Sequence, residues 1–154
     1  FKMTADKGNV KAMYNLGNML YDGDGIPSNK EEALRYYRMA ADNGDVDAMN
    51  DLGAMLYHGD GIPSNKEEAA RYFRMAADKG DVDAMFSLGG MLYEGDGIPS
   101  NKEEAARYFK MTADKGNVKA MFSLGIMLYH GDGIPSNKEE SARYFRMAAD
   151  KGFV

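Results

Sequence analysis

Histidine and carboxylate are the side chains here that could bind a metal or move a proton, and their placement argues against both. The sequence has 2 His, 24 Asp and Glu and no cysteine, so disulfides and thiolate metal sites are excluded. His58 and His130 are too far apart along the chain to serve one zinc centre, which needs three or four ligands; each reads as a surface residue. The run Asp22-Gly23-Asp24-Gly25 has a faint likeness to a calcium loop. Such a loop needs oxygen donors at its first, third and fifth positions and glycine at its sixth. Glycine comes too early here, and later counterparts of Asp22 are His58, Glu94 and His130. A tight glycine turn is the better reading. Lys30-Glu31-Glu32 recurs, yet acids at a helix start answer to the helix dipole. No nucleophile stands with a base at usable spacing, and no phosphate loop appears. The expectation is therefore no enzyme, no cofactor and no metal. What remains is recognition by aromatic, aliphatic and charged side chains.

The element that positions those side chains is a repeat. Gly8, Gly44, Gly80, Gly116 and Gly152 close the same phrase every 36 residues. The chain therefore reads as one array over 1–154, with repeats 9–44, 45–80, 81–116 and 117–152 between partial units 1–8 and 153–154. The run FKMTADKGNVK at 1–11 recurs letter for letter at 109–119. With neither an initiator Met nor polar terminal caps, this suggests a fragment of a longer array.

Each repeat reads as two helices. The first starts at an N-cap Asn or Asp (Asn9, Asp45, Asp81, Asn117) and ends near Gly23. Ile26-Pro27 forbids its continuation. The second starts at a capping box, either Ser28 with Glu31 or Asn29 with Glu32, and runs to about Asp42. Its apolar stripe is Ala33, Tyr36, Tyr37, Ala40 and Ala41, while Glu31 and Arg35 form an i,i+4 ion pair on the wet side. Met13, Met19 and Met39 are expected to fill the core. One repeat cannot bury its own apolar faces, so its neighbours must supply the other wall. The expected fold class is all-α.

The phrase Ala12-x-x-x-Leu16-Gly17, Tyr21-x-Gly23-x-Gly25-Ile26-Pro27, Ala33-x-x-Tyr36-Tyr37 and Ala40-Ala41-Asp42-x-Gly44 resembles the Sel1-like repeat, a relative of the tetratricopeptide repeat. The likeness recurs in all four repeats and covers nearly the whole chain. It implies a right-handed α/α superhelix, a solenoid with its first helices on the concave side, serving as a non-enzymatic adaptor for other proteins. Some bacterial members are stapled by cysteines within each repeat, and this chain departs from that branch.

Composition agrees with a folded recognition module. The chain is 44% hydrophobic and 28% charged, which argues against disorder. No run approaches the ~18 apolar residues of a membrane span, and no signal-peptide pattern is present. A net charge of -5 is repelled by phosphate backbones and anionic lipid, so nucleic acid is not the expected partner.

Twelve of the 36 repeat positions differ among the four copies. Changes in the second helix are mild, such as Tyr37 against Phe73. Those in the first helix are not. Lys11, Asp47, Asp83 and Lys119 reverse charge; Tyr14, Asn50, Phe86 and Phe122 exchange aromatic for amide. Asn15, Asp51, Ser87 and Ser123 differ, Asn18, Ala54, Gly90 and Ile126 run from Gly to Ile, and Asp22, His58, Glu94 and His130 mix acid with imidazole. On a helical wheel at ~100° per residue these positions form one arc opposite the invariant packing face. Lys30, Glu31, Arg35 and Asp42 should be exposed too, yet do not vary, which sets the arc apart from neutral drift. The arc is read as a diversified surface on a constant scaffold, binding a protein or peptide. Its candidate contacts are Lys11, Tyr14, Asn18, Asp47, Asn50, His58, Asp83, Phe86, Lys119, Phe122, Ile126 and His130. Apolar groups of the partner would seat near Phe86, Phe122 and Ile126, with the charges setting register. The alternative is a structural role, end-to-end self-association into a filament, with Tyr144, Phe145 and Ala148 left partly uncovered at the last second helix. Glycan binding by the aromatic arc has no saccharide-specific feature to support it.

Overall fold

The computed structural model describes residues 7–152. They form α-helices and no strand: α1 Lys7–Asp22, α2 Lys30–Asp42, α3 Val46–His58, α4 Lys66–Asp78, α5 Val82–Glu94, α6 Lys102–Asp114, α7 Val118–His130 and α8 Lys138–Asp150. The fold class is the all-α helical repeat that the sequence calls for. The chain divides into two compact bodies, Phe1–Lys79 and Gly80–Val154. In the first, α1 packs on α2, α2 on α3 and α3 on α4; in the second, α5, α6, α7 and α8 follow the same order. The partial units 1–8 and 153–154 fall almost wholly outside the described residues.

The helix starts follow the expected caps with one exception. Asp45, Asp81 and Asn117 accept from the backbone N–H of Ala48, Ala84 and Ala120, so each satisfies a donor that has no partner within the helix. Asn9 does not cap; it lies inside α1. At the later turns the outgoing second helix holds the cap residue in place: Asp45 N–H bonds to Ala40 O and Asn117 N–H to Thr112 O. Among the described residues no such helix precedes Asn9, and Lys7-Gly8-Asn9 simply extends α1 by less than a turn.

At the second helices, Asn29, Asn65, Asn101 and Asn137 are the caps. Ser28 is otherwise engaged, its hydroxyl donating to Tyr21 O across the loop, as Ser64, Ser100 and Ser136 do in their repeats. The capping box stays half made because Asn29 N–H donates to Leu20 O. Glu32 turns instead to Arg35 at 3.3 Å, so the expected ion pair of Arg35 with Glu31 is replaced by an i,i+3 pair; Arg71 with Glu68 repeats it.

Neighbouring repeats are joined by polar clips as well as by the apolar core. Asp60, in the glycine loop of the second repeat, accepts from Tyr21 and from Lys30 of the first. Asp132 accepts likewise from Tyr93 and Lys102. Asp42 accepts from Tyr72 at 2.9 Å, and Asp114 from Tyr144 at 2.8 Å. The loop glycine is required there: a Cβ on Gly61 would sit 2.7 Å from Lys30 Cδ. Lys30 and Asp42 are thus fixed among repeats because they bind a neighbour, and Arg35 because it binds Glu32. Their constancy is structural and no longer distinguishes the variable arc from drift.

Three packing expectations need correction. Met19 is 39% exposed, while its counterparts Met55, Met91 and Met127 are buried; α3 and α7 each pack on a preceding second helix, and no described helix precedes α1. Met111 is exposed and Met39 half-buried, because that position points off the shared core. At α8, Tyr144 and Ala148 are buried against their own body, and only Phe145 of the expected three is partly open. The bare positions of α8 are Ala142 and Ala149, whose counterparts Ala106 and Ala113 are buried in α6, which packs on α7.

Candidate functional site

None of the twelve candidate contacts is buried. Lys11, Asp47, His58, Asp83, Lys119, Phe122, Ile126 and His130 are exposed, and Tyr14, Asn18, Asn50 and Phe86 are half-buried. In each body the two first helices flank a cleft floored by the second helix between them. The first cleft, about 620 Å³, is lined by Asn18 and Asp22 of α1, Tyr37 of α2, and Asp51, Ala54 and His58 of α3. The second, about 290 Å³, is lined by Gly90 and Glu94 of α5, Phe109 of α6, and Ser123 and Ile126 of α7. These are the same positions two repeats on. Asn18 corresponds to Gly90, Asp22 to Glu94, Tyr37 to Phe109, Asp51 to Ser123 and Ala54 to Ile126.

The first cleft is polar and internally bonded. Tyr37 donates to Asn18 Oδ1 at 2.5 Å, and Tyr14 donates to Asp51 Oδ2 at 2.7 Å. Burial pushes the Tyr14 hydroxyl up to about 12, with Asp51 adding to the effect. Burial also raises Tyr37 above its ordinary range. The Asp51 carboxyl is raised by burial, against the bond from Tyr14, which favours its ionised form. At the helix starts, Lys11 pairs with Asp45 at 3.0 Å and with Asp47 at 3.9 Å. The charge at Lys11 and Asp47 is therefore partly satisfied within the scaffold. His58 stands edge-on to Tyr57 and His130 to Tyr129, each with ring centroids 5.0 Å apart. Their helices belong to different bodies, α3 to the first and α7 to the second.

In the second cleft those hydrogen bonds are gone together. Phe86 replaces Tyr14, Ser123 replaces Asp51, Gly90 replaces Asn18 and Phe109 replaces Tyr37. Phe86 meets Phe109 with centroids 5.7 Å apart, as Tyr14 meets Tyr37 at 5.8 Å in the first cleft, and outside the second cleft's lining Phe122 meets Phe145 at 5.8 Å. Phe122 and Ile126, on α7, the last first helix described, are 42% and 37% exposed. Two adjacent glycines differ sharply. A Cβ on Gly89 would lie 3.0 Å from the Phe109 ring, whereas one on Gly90 meets nothing within 4 Å.

Reading position by position missed this coupling, and with it the parts played by Tyr37, Phe109 and Gly90. The signal was present: the repeats that put Phe at the Tyr14 position also put Ser at the Asp51 position. A further cleft of about 520 Å³ lies along α6 and α8, lined by Arg107, Lys110, Pro135 and Glu140. Lys110 there is already within 3.6 Å of Glu140.

The Sel1 repeat family profile matches residues 10–45, 46–81, 82–117 and 118–153. The chain belongs to the Sel1 repeat family. Sel1 repeats are generally non-catalytic scaffolds that mediate protein interactions. Among solved structures, this Sel1 array is similar to a protective antigen of uropathogenic Escherichia coli strains displaying an SLR fold. The two share 33% identity and a TM-score of 0.88, over 96% of this chain and 32% of that one. It is also similar to a Sel1 repeat protein from Oxalobacter formigenes, at 30% identity and TM-score 0.83, over 94% of this chain and 60% of that one. Helicobacter pylori cysteine rich protein B matches at 25% identity and TM-score 0.59, over 74% of this chain and 87% of that one. The first two relatives are thus considerably longer than the chain. Comparison with curated proteins gives no match.

Proposed function

We propose that this Sel1 array is a non-enzymatic adaptor that binds a peptide or an extended protein segment along its first helices. The observation that carries the reading is the pair of equivalent clefts: one frame, repeated, with its lining changed in concert from hydrogen-bonded and acidic to apolar. Ile126 stands on the wall of the apolar recess, and Phe122 lies one turn before it on the same helix. Exposed aromatic and aliphatic anchors around a cleft are the groups that dominate interface energetics. Phe86, Phe122 and Ile126 are the anchors, and Asp83 and Lys119 offer charge at the helix starts.

The test is to pan a displayed random-peptide library against the intact chain and measure the recovered peptides on variants. Phe122→Ala with Ile126→Ala should weaken them roughly tenfold or more, while circular dichroism stays unchanged. Undiminished binding, or an equal loss from Arg143→Ala on α8, overturns the reading.

A further inference from the structure

Gly90 has no packing reason to be glycine. It lies inside α5, with a helical rather than a left-handed backbone, since it is absent from the glycines of positive φ. Glycine there weakens the helix relative to alanine. Its neighbour Gly89 is explained by the Phe109 ring pressed against it, but the space above Gly90 is open. The equivalent place in the first body is occupied: Asn18 stands there, bonded to Tyr37. In the second body the hydrogen-bonding partner is removed as well, so the recess is left both empty and apolar. Its walls are Phe86, Phe109, Ile126 and Met127, and of the lining residues only Glu94 carries a charge.

We infer that the cleft between α5 and α7 is a pocket for one large apolar side chain of a peptide ligand, and that Gly90 sets the size it admits. A volume of about 290 Å³ is at the small end of ligand sites and suits one leucine, methionine or phenylalanine side chain, not a whole segment. Glu94, the one charged residue of its lining, makes the favoured ligand one with lysine or arginine beside the apolar residue. The same position then sets what each cleft admits, Asn18 with Ala54 in the first and Gly90 with Ile126 in the second. This inference rests on the peptide-binding reading above and names the ligand chemistry for that site.

The decisive experiment compares Gly90→Leu with the intact wild-type chain, using peptides recovered by panning as the probes. A Cβ at residue 90 meets nothing within 4 Å and a leucine packs its remaining atoms on the apolar walls, so the melting midpoint should be no lower than that of wild type. Peptides with a large apolar anchor next to a basic residue should dominate the selection and bind the variant roughly tenfold or more weakly. Gly90→Ala, which fills less, should give a smaller loss and moves the fold least. If recovered peptides lose affinity with Phe122→Ala and Ile126→Ala but bind Gly90→Leu unchanged, the pocket is wrong and the adaptor reading stands. If the selected anchors are small or acid-flanked, the inference fails in the same way. If no peptide is recovered, both fall.

Discussion

One loop carboxylate per joint, held by a tyrosine hydroxyl and a lysine ammonium, shows how individual residues set the balance here. The Lys30 and Tyr21 bonds hold the Asp60 carboxyl below its usual range. A carboxylate depressed in the folded state stabilises above its unfolded pKa, and that stabilisation is lost as pH falls through the folded value. Asp60→Asn should therefore melt below wild type at neutral pH, with the gap starting to close only below the ordinary Asp value of about 3.9 and vanishing once the pH is below the depressed folded value. Asp51 has the opposite sign. Burial raises its carboxyl, so ionisation opposes folding at neutral pH and the penalty disappears as the pH falls below the ordinary Asp value. Asp51→Asn can still accept from Tyr14. It should melt at or above wild type at neutral pH, with no advantage in acid. Thermal melts over a pH series check both. Neither partner was legible beforehand. The constancy of Lys30 could be seen in the sequence, but the loop that binds it belongs to the next repeat.

At the scale of the helix, glycine and the cap residues carry the argument. Gly53 faces the Phe73 ring, and a Cβ there would lie 2.7 Å from it. Gly53→Ala should cost about 1–3 kcal/mol by overpacking. Gly90→Ala, on an equally helical backbone with open space beside it, should stabilise by up to about 1 kcal/mol. Chemical denaturation separates the two by sign. Asn65 caps α4 through Glu68 N–H, and Asn65→Ala should lose about 1 kcal/mol in the same measurement. The helices, their glycine stops and the proline-led restart were readable from periodicity and turn chemistry. Choosing between Ser28 and Asn29 as the cap was not, because both can accept from a first-turn N–H. The loop decides by taking the serine hydroxyl to Tyr21 O. The variable arc was readable as a wheel position, whereas its two opposite linings were not. Those depend on which second-helix ring, Tyr37 or Phe109, closes the floor.

Across the whole molecule, stability comes from neighbours. Each first helix packs on its own second helix, and within each body the middle second helix also packs on the next first helix. In such an array stability is close to a sum of repeat and interface contributions. A peptide covering residues 81–116 alone should show little helix by circular dichroism, while the full chain melts cooperatively; a stably helical single repeat would contradict this. The same division of labour leaves the first-helix face free to change, since the clips Tyr21–Asp60, Tyr72–Asp42 and their counterparts lie at positions that do not vary. The most direct test of that claim is chemical-shift mapping of the intact chain with a peptide recovered by panning. The account predicts perturbations centred on Phe86, Gly90, Phe122 and Ile126. Perturbations centred instead on Arg107, Lys110 and Glu140, along the second helices, would contradict it.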